Sequence, residues 1–326
     1  MTTQANNFLP FVKIDHIIQR LYTTPLVGEF GGVIPLSYPV GKLFFLSREA
    51  QIKYDGTDAD ENQTIQKDFS NPVEGGNLST YKFKILASNM DMRTERIKSV
   101  WTQEALHDYN QLFKEKPEDE VSKTIAAEIT NECVFQIDQK FIHEISKVST
   151  QIDSNLDFKK YDSKLDLAFT LVDMIYENAL EMIGRLNNKS GVSVFASLPI
   201  CSALMAHPNY KFHQKIDGTF DEENVYFMGS INNIKIFCDL YGFLNDTHKN
   251  DTKGGSMIIG VKDLMNEANS SVVFSPYKVN LTNEVNPNSG EYELFVFYSY
   301  GITISPQHDK DNSTMIKQIQ FKNSKN

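Results

Sequence analysis

The sequence lacks the features that mark membrane, secreted and nucleic-acid-binding proteins. No stretch approaches the roughly 18 consecutive apolar residues that a membrane helix needs. The first residues lack the basic segment and uninterrupted apolar core of a signal peptide. No run of Lys or Arg exceeds two residues, and the formal net charge is −10. Because binding to phosphates needs clustered basic residues, we expect no membrane partner and no sequence-specific nucleic acid binding.

Cysteine is also scarce, and its three positions argue against disulfides. Cys133, Cys201 and Cys238 are odd in number, far apart in the chain and set in apolar stretches. This pattern is typical of small buried side chains in a protein made in a reducing cytoplasm.

Motifs for catalysis and cofactor binding are absent as well. Gly41-Lys42 lacks the earlier glycine and the following hydroxyl of a phosphate-binding loop. A zinc protease helix that began at His143 would need a second histidine where Lys147 stands. Cys201 and His207 lie six residues apart on one short helical segment, and therefore on different faces. We predict no catalytic residue, no cofactor and no metal site, and hence no enzyme.

What the chain does contain is a mixture of helical and strand periodicities in 326 residues, 40% of them hydrophobic. Phe11, Ile14 and Ile17 recur at helical spacing near the start, which predicts a short amphipathic arm. Residues 25–47 are dense in Gly and Pro and indicate an irregular extended connector that leads into a strand. A polar stretch and a second strand follow, so residues 43–90 predict a long protruding β-hairpin.

The middle and the end of the chain carry the strongest patterns. Apolar residues step by four through Glu118–Ser146, and acidic residues fill the first turn, which predicts a helix of roughly 42 Å. A second amphipathic helix is predicted at about Tyr161–Leu186. The run Tyr292–Ile304 is apolar on both faces, which predicts a central strand covered on both sides. These elements together predict the α+β class.

The order of these parts resembles that of a known protein family. The resemblance rests on three stretches: Pro25–Leu46, Arg96–Glu144 and Val273–Ile302. In sequence and order they resemble the major capsid proteins of tailed bacteriophages with the HK97-like fold, and locally those of T-even myoviruses. The resemblance implies an N-terminal arm, an extended β-hairpin loop, a long spine helix, a peripheral domain and an axial domain.

Mapped onto this chain, the resemblance implies five segments. They are an N-terminal arm (1–24), a connector with the extended hairpin loop (25–92), a peripheral domain with the spine helix at 118–146 (93–190), an axial domain (191–265), and a return to the peripheral domain with a C-terminal tail (266–326).

The implied function is structural. Copies of the chain would assemble into hexameric and pentameric capsomers of an icosahedral head that encloses double-stranded DNA, built in the host cytoplasm. Vertex, portal, scaffold and decoration proteins are the further partners implied. Subunit contacts are expected in the arm, the hairpin and an axial loop, at Phe11, Ile14, Ile17, Lys82, Phe83, Lys84, Asp246 and Lys249.

Three alternatives stay open at the level of sequence. The same fold could form an encapsulin-type nanocompartment around a cargo enzyme, or a vertex protein that forms only pentamers. A more remote alternative is a soluble enzyme without a recognisable motif.

Overall fold

The structure is a computed structural model. It describes residues 21, 24–38, 41–51, 80–90, 92–102, 104, 118–154, 156–184, 190–213, 226–246, 255–264, 270–305 and 315–321. For most of the hairpin and for the first third of the long helix, the description is of the backbone.

The described elements form two large sheets, five helices and a separate hairpin. The helices are α1 (Pro25–Phe30), α2 (Glu118–Val148), α3 (Lys164–Ile183), α4 (Leu198–Leu204) and α5 (Phe243–Asp246), with a 3₁₀ turn at Phe158–Lys160. The strands are β1 (Gly32–Val33), β2 (Gly41–Gln51), β3 (Thr80–Met90), β4 (Met92–Trp101), β5 (Thr150–Ser154), β6 (Ser190–Ser197), β7 (Tyr210–Phe212), β8 (Phe227–Ile231), β9 (Ile234–Asp239), β10 (Ser256–Asp263), β11 (Val272–Val285), β12 (Tyr292–Ile304) and β13 (Ile316–Phe321).

Strand order shows how the chain is divided between the sheets. One sheet has four strands in the order β1-β11-β12-β4, and the other has seven in the order β5-β13-β10-β6-β9-β8-β7. Strands β2 and β3 pair with each other and belong to neither. The predicted hairpin is therefore confirmed.

Both faces of the central strands of the seven-stranded sheet are buried, because successive side chains of these strands point into two different apolar layers. Phe195 and Phe237 join the core on the side of α2, whereas Val194, Ala196 and Cys238 join the core under α3 and α4. Alternation of apolar side chains on both faces explains why the central strands of this sheet read as nearly continuous hydrophobic runs.

Helix α2, the spine helix, lies between the two sheets. Its buried residues Cys133, Ile137 and Phe141 share one core with Tyr298 of β12 and Phe195 of β6. A stripe that steps by four residues drifts around a helix with 3.6 residues per turn, so the apolar surface is wide enough to contact a sheet on each side. The predicted spine is confirmed, and it extends two residues further than expected.

The connector prediction for residues 25–47 is wrong at its start, where α1 forms. Thr24 is the N-cap and accepts a hydrogen bond from the N–H of Val27, and Pro25 occupies the first turn, where its missing N–H costs nothing. Leu26, Val27 and Phe30 are buried in the core. The Gly and Pro content argues against a helix here. The helix forms nevertheless, because it is stabilised by burial of one apolar face and not by intrinsic helix propensity.

The four-stranded sheet has its two longest strands in the second half of the chain. Strand β11 runs from Val272 to Val285, past an irregularity in pairing between Pro276 and Lys278. Strand β12 is central, as predicted, yet the described residues cover it on one side only. Phe295 and Phe297 stay partly exposed, because the spine helix covers only the opposite face.

The seven-stranded sheet draws on more of the chain than residues 191–265. Strands β5 and β13 form one end of it, and α3 packs against α4 and β10. The second long helix, predicted over 161–186, is thereby confirmed as an element, and it packs on this sheet. Phe11, Ile14 and Ile17 of the predicted arm lie outside the described residues.

The central position of the spine helix predicts a large effect of truncating Phe141, which is fully buried. We expect Phe141→Ala to lower the free energy of unfolding by about 3–5 kcal/mol, because the cavity lies where α1, the spine helix and β11 meet. Denaturant unfolding of the full chain, followed by far-UV circular dichroism, measures this. The matched control is Phe169→Ala on the exposed side of α3, for which we expect a loss below about 1 kcal/mol. Equal losses in the two variants would contradict the central role of the spine.

Candidate assembly surfaces

The hairpin is the feature that the subunit core supports least. Its strands have 11 residues each and pair in register from Gly41↔Met90 at the base to Gln51↔Thr80 at the outer end. Eleven residues extend about 36 Å along a strand. A two-stranded sheet is marginally stable by itself, and no other described strand pairs with either of its outer edges.

The hairpin is attached to the body at its base. Met90 is buried against Val273 of β11. The Ser88 and Thr303 hydroxyls hydrogen-bond at 3.1 Å, and the Thr303 hydroxyl also donates to the carbonyl of Asn89 at 3.3 Å. These contacts fix where the hairpin leaves the four-stranded sheet.

Two groups of predicted interface residues fall in different elements. Lys82, Phe83 and Lys84 lie in the outer half of β3, opposite residues 47–49 of β2. Asp246 is the last residue of α5, and Lys249 lies outside the described residues. The structure thus places the hairpin residues on the separate two-stranded sheet and Asp246 on a helix that packs against the spine.

Asp239 explains why the chain forms α5 at that place. Its carboxylate accepts hydrogen bonds from the backbone N–H groups of Gly242, Phe243 and Leu244, at 2.8–3.0 Å. These are the N–H groups that a helix N-terminus leaves without partners. Phe243 and Leu244 are also buried, so the short helix is held both by the Asp239 carboxylate and by the packing of these two side chains.

An aromatic cluster beside α5 connects the spine helix with the seven-stranded sheet. Phe135 of the spine contacts Tyr241 and Phe243 edge-on or tilted, with ring centroids 4.9 and 5.1 Å apart. Tyr226 contacts both Tyr241 and Phe243. About half of Tyr241 is exposed, so the cluster reaches the surface.

The open face of the four-stranded sheet combines aromatic rings with basic groups. The Arg96 guanidinium lies 4.7 Å from the centroid of the Phe297 ring, and the Lys98 ammonium lies 5.6 Å from that of Phe295. Lys98 also pairs with Glu293 at 2.8 Å and lowers the pKa of that carboxyl. Basic side chains that shield rings in this way make an apolar sheet face compatible with water.

The opposite face of the same sheet is tied to the spine helix by polar contacts around the core. Lys140 of the spine pairs with Glu95 of β4, and the Tyr298 hydroxyl donates to Gln136 at 3.2 Å. Burial raises the pKa of Tyr298 and of Tyr300 above the usual range for a phenol.

Sequence reasoning missed a buried polar site at Asp138 of the spine helix. The Thr24 hydroxyl donates to Oδ1 of Asp138 at 2.5 Å, and both residues are fully buried. Burial raises the pKa of this carboxyl to about 8, although hydrogen bonds from Thr24, the backbone of Leu26 and Tyr226 act in the opposite direction. A Thr-Pro pair before an apolar turn could have revealed the cap at Thr24, but nothing local links it to residue 138.

The described residues hold neither a metal-binding group nor a membrane-spanning helix. No three His, Cys, Asp or Glu side chains there are grouped so as to hold a metal ion. No helix in that part of the chain is long and apolar enough to cross a membrane.

The isolation of the hairpin predicts low protection from hydrogen exchange in the free subunit. We expect amides of β2 and β3 to exchange faster than those of β11 and β12, because among the described strands β2 and β3 pair only with each other. On assembly, protection of the hairpin should rise at least roughly tenfold. Exchange followed by mass spectrometry on dissociated and assembled protein measures both quantities, with β6 as the internal control. A hairpin that is equally protected in both states would contradict its role as an unfinished surface.

Comparison with known proteins identifies the family. A model of the major capsid protein Gp23 matches residues 47–326, which is most of the chain. No curated protein sequence matches.

Solved structures show the same fold at low identity. The asymmetric unit of the bacteriophage PhiM1 mature capsid contains a chain that is 10% identical, with a TM-score of 0.50 over 93% of this chain and 89% of that one. A chain from Gordonia phage Cozz is 11% identical, with a TM-score of 0.50 over 93% and 87%. The fold is HK97-like, as the sequence predicted. This chain therefore belongs to the Gp23 family of major capsid proteins and is a structural subunit of a virion shell.

Proposed function

We propose that the chain builds hexameric and pentameric capsomers of an icosahedral head around double-stranded DNA, and that the hairpin joins neighbouring subunits. The observation that carries this proposal is the pairing of β2 with β3 in a sheet separate from both larger sheets. Lys82, Phe83 and Lys84 are the contact residues we propose in the hairpin. Phe11, Ile14 and Ile17 of the arm, and Asp246 and Lys249 of the axial loop, are the others.

The physical support is the cost of leaving the hairpin alone. No other described strand pairs with its outer edges, so another copy of the chain can pair with them, and a two-stranded sheet of this length is marginally stable by itself. When copies meet around a rotation axis, each hairpin finds the same receiving surface on the next subunit, and the ring closes. Many such contacts, each weak, give a stable particle.

The two sheets support a division of labour between domains. We propose that the four-stranded sheet and the spine helix form the peripheral domain, and that the seven-stranded sheet with α3 and α4 forms the axial domain. The axial unit would then include residues 150–183 and 315–321 in addition to the predicted 191–265. A capsomer map that placed β7 and β8 near the symmetry axis would support this, and one that placed β4 there would refute it.

The partners beyond copies of the same chain are also proposals. Vertex, portal, scaffold and decoration proteins follow from the expected architecture of a phage head. Membership of a major capsid family favours a structural role over catalysis, and it does not favour the nanocompartment or the vertex-only protein. The likeness to T-even myoviruses stays a prediction.

The proposed function can be tested by expressing the full chain and examining it with size-exclusion chromatography and negative-stain microscopy. Shells, tubes or capsomers support self-assembly. A monomer that stays monomeric at high concentration and turns over a substrate would refute it.

The hairpin residues permit a sharper test. We expect Lys82→Glu with Lys84→Glu to reduce the yield of assembled particles at least roughly tenfold, since charges of the wrong sign at an interface oppose association. The unfolding midpoint of the free subunit should stay unchanged. Lys160→Glu with Lys164→Glu, at exposed positions near the start of α3, is the matched control and should assemble normally. Normal assembly of the hairpin variant would remove these two residues from the interface.

A further inference from the structure

The buried carboxyl of Asp138 lies where three parts of the subunit meet. It projects from the spine helix, its Oδ1 accepts a hydrogen bond from the Thr24 hydroxyl, and burial together with the nearby Asp138 carboxyl raises the pKa of the Tyr226 phenol. Thr24 caps α1, and Tyr226 comes directly before β8 of the seven-stranded sheet. One side chain thus connects the N-terminal segment, the spine and the larger sheet.

The described part of the chain offers this carboxyl no compensating positive charge. Within the described residues, Asp138 makes no ion pair, and its Oδ2 has no hydrogen-bond partner of normal geometry. On the side of the sheet, the titratable group beside it is Tyr226, whose own charged neighbours Tyr241 and Asp239 are not basic. A carboxylate in such a place is costly unless the structure opens to hydrate it.

The segment that would open is short and is held at both ends. Thr24 contacts Asp138, and at the other end of α1, Glu29 pairs with Lys235 at 2.5 Å while Lys262 donates to the carbonyl of Gly28 at 2.8 Å. Lys235 is thus paired with Glu29, and Lys262 is bound to a backbone carbonyl, both at the far end of α1 from Asp138. On the spine itself, Lys140 and Glu144 pair with Glu95 and Arg93 of β4, on the face toward the four-stranded sheet.

We propose that Thr24, Asp138 and Tyr226 form a protonation-dependent latch that holds the segment Thr24–Phe30 against the spine helix and the seven-stranded sheet. The latch is closed while the Asp138 carboxyl is neutral. Ionisation favours release of the segment, because the charged group gains water when Thr24 moves away. Since this segment leads through the connector to β2, the latch controls how firmly the root of the hairpin is held.

The direction of the pH effect follows from the two environments. In the closed form the pKa of Asp138 is about 8, and in the open form it returns toward the ordinary value of an aspartate. The closed form therefore binds more protons between about pH 4 and pH 8, and its stability falls as pH rises through that range. Above about pH 8 both forms are ionised, and this contribution no longer changes with pH.

Hydrogen exchange of the full chain tests the latch. After correction for the intrinsic exchange rate, protection of amides in residues 24–30 should fall up to about tenfold per pH unit from pH 5 and level off near pH 8. Asp138→Asn keeps the shape and removes the titration, so its protection should not vary with pH. Asp173→Asn, on the exposed face of α3, is the matched control and should behave as the wild type does.

A second variant tests the same mechanism if Asp138→Asn does not fold. Thr24→Val removes the hydrogen bond from the Thr24 hydroxyl that lowers the pKa of Asp138, so the pH at which protection levels off should move upward. Protection of residues 24–30 that is independent of pH in the wild type would overturn the proposal. The same pH dependence in wild type and Asp138→Asn would do so as well.

Discussion

Burial of the spine helix between two sheets is the constraint on which the rest of the subunit depends. Cys133, Ile137 and Phe141 contribute to a core that takes residues from both sheets, and α1 and α5 close its sides. A helix packed on one sheet needs one apolar stripe, but a helix packed between two sheets needs a wider one. The polar residues that remain on the spine, such as Gln136 and Lys140, are used at the margins of that core, where they bind β4 and β12.

The completeness of the body contrasts with the incompleteness of the hairpin. Among the described elements, helices cover both faces of the seven-stranded sheet and one face of the four-stranded sheet. The hairpin is held through contacts such as those of Ser88, Asn89 and Met90, and the open sheet face beside β4 presents Phe295 and Phe297 under basic side chains. A subunit that must fold alone and then assemble needs this separation, because its core has to be stable before neighbours arrive, whereas its edges must stay available.

Buried polar groups add specificity to a core that is otherwise apolar. Asp239 binds three backbone N–H groups and so determines where α5 begins. Asp138 joins three segments but has one oxygen without a partner, which makes its position conditional on protonation. The first arrangement is satisfied in full and is therefore rigid. The Asp138 carboxyl has hydrogen-bond partners for only part of its polar atoms. A buried polar group of this kind can change its protonation and its contacts when conditions change.

The sequence alone was sufficient for the parts whose signal is local. The period of the spine helix, the two hairpin strands and the central run Tyr292–Ile304 could be predicted because side-chain periodicity reports which faces are buried. The order of these parts was enough to suggest the capsid fold. Tertiary structure alone decided the helix at Pro25–Phe30, the full length of β11 and the open face of β12. Only contacts between distant residues, such as Thr24 with Asp138 across 114 positions, determine whether such segments are covered, and no local pattern encodes them.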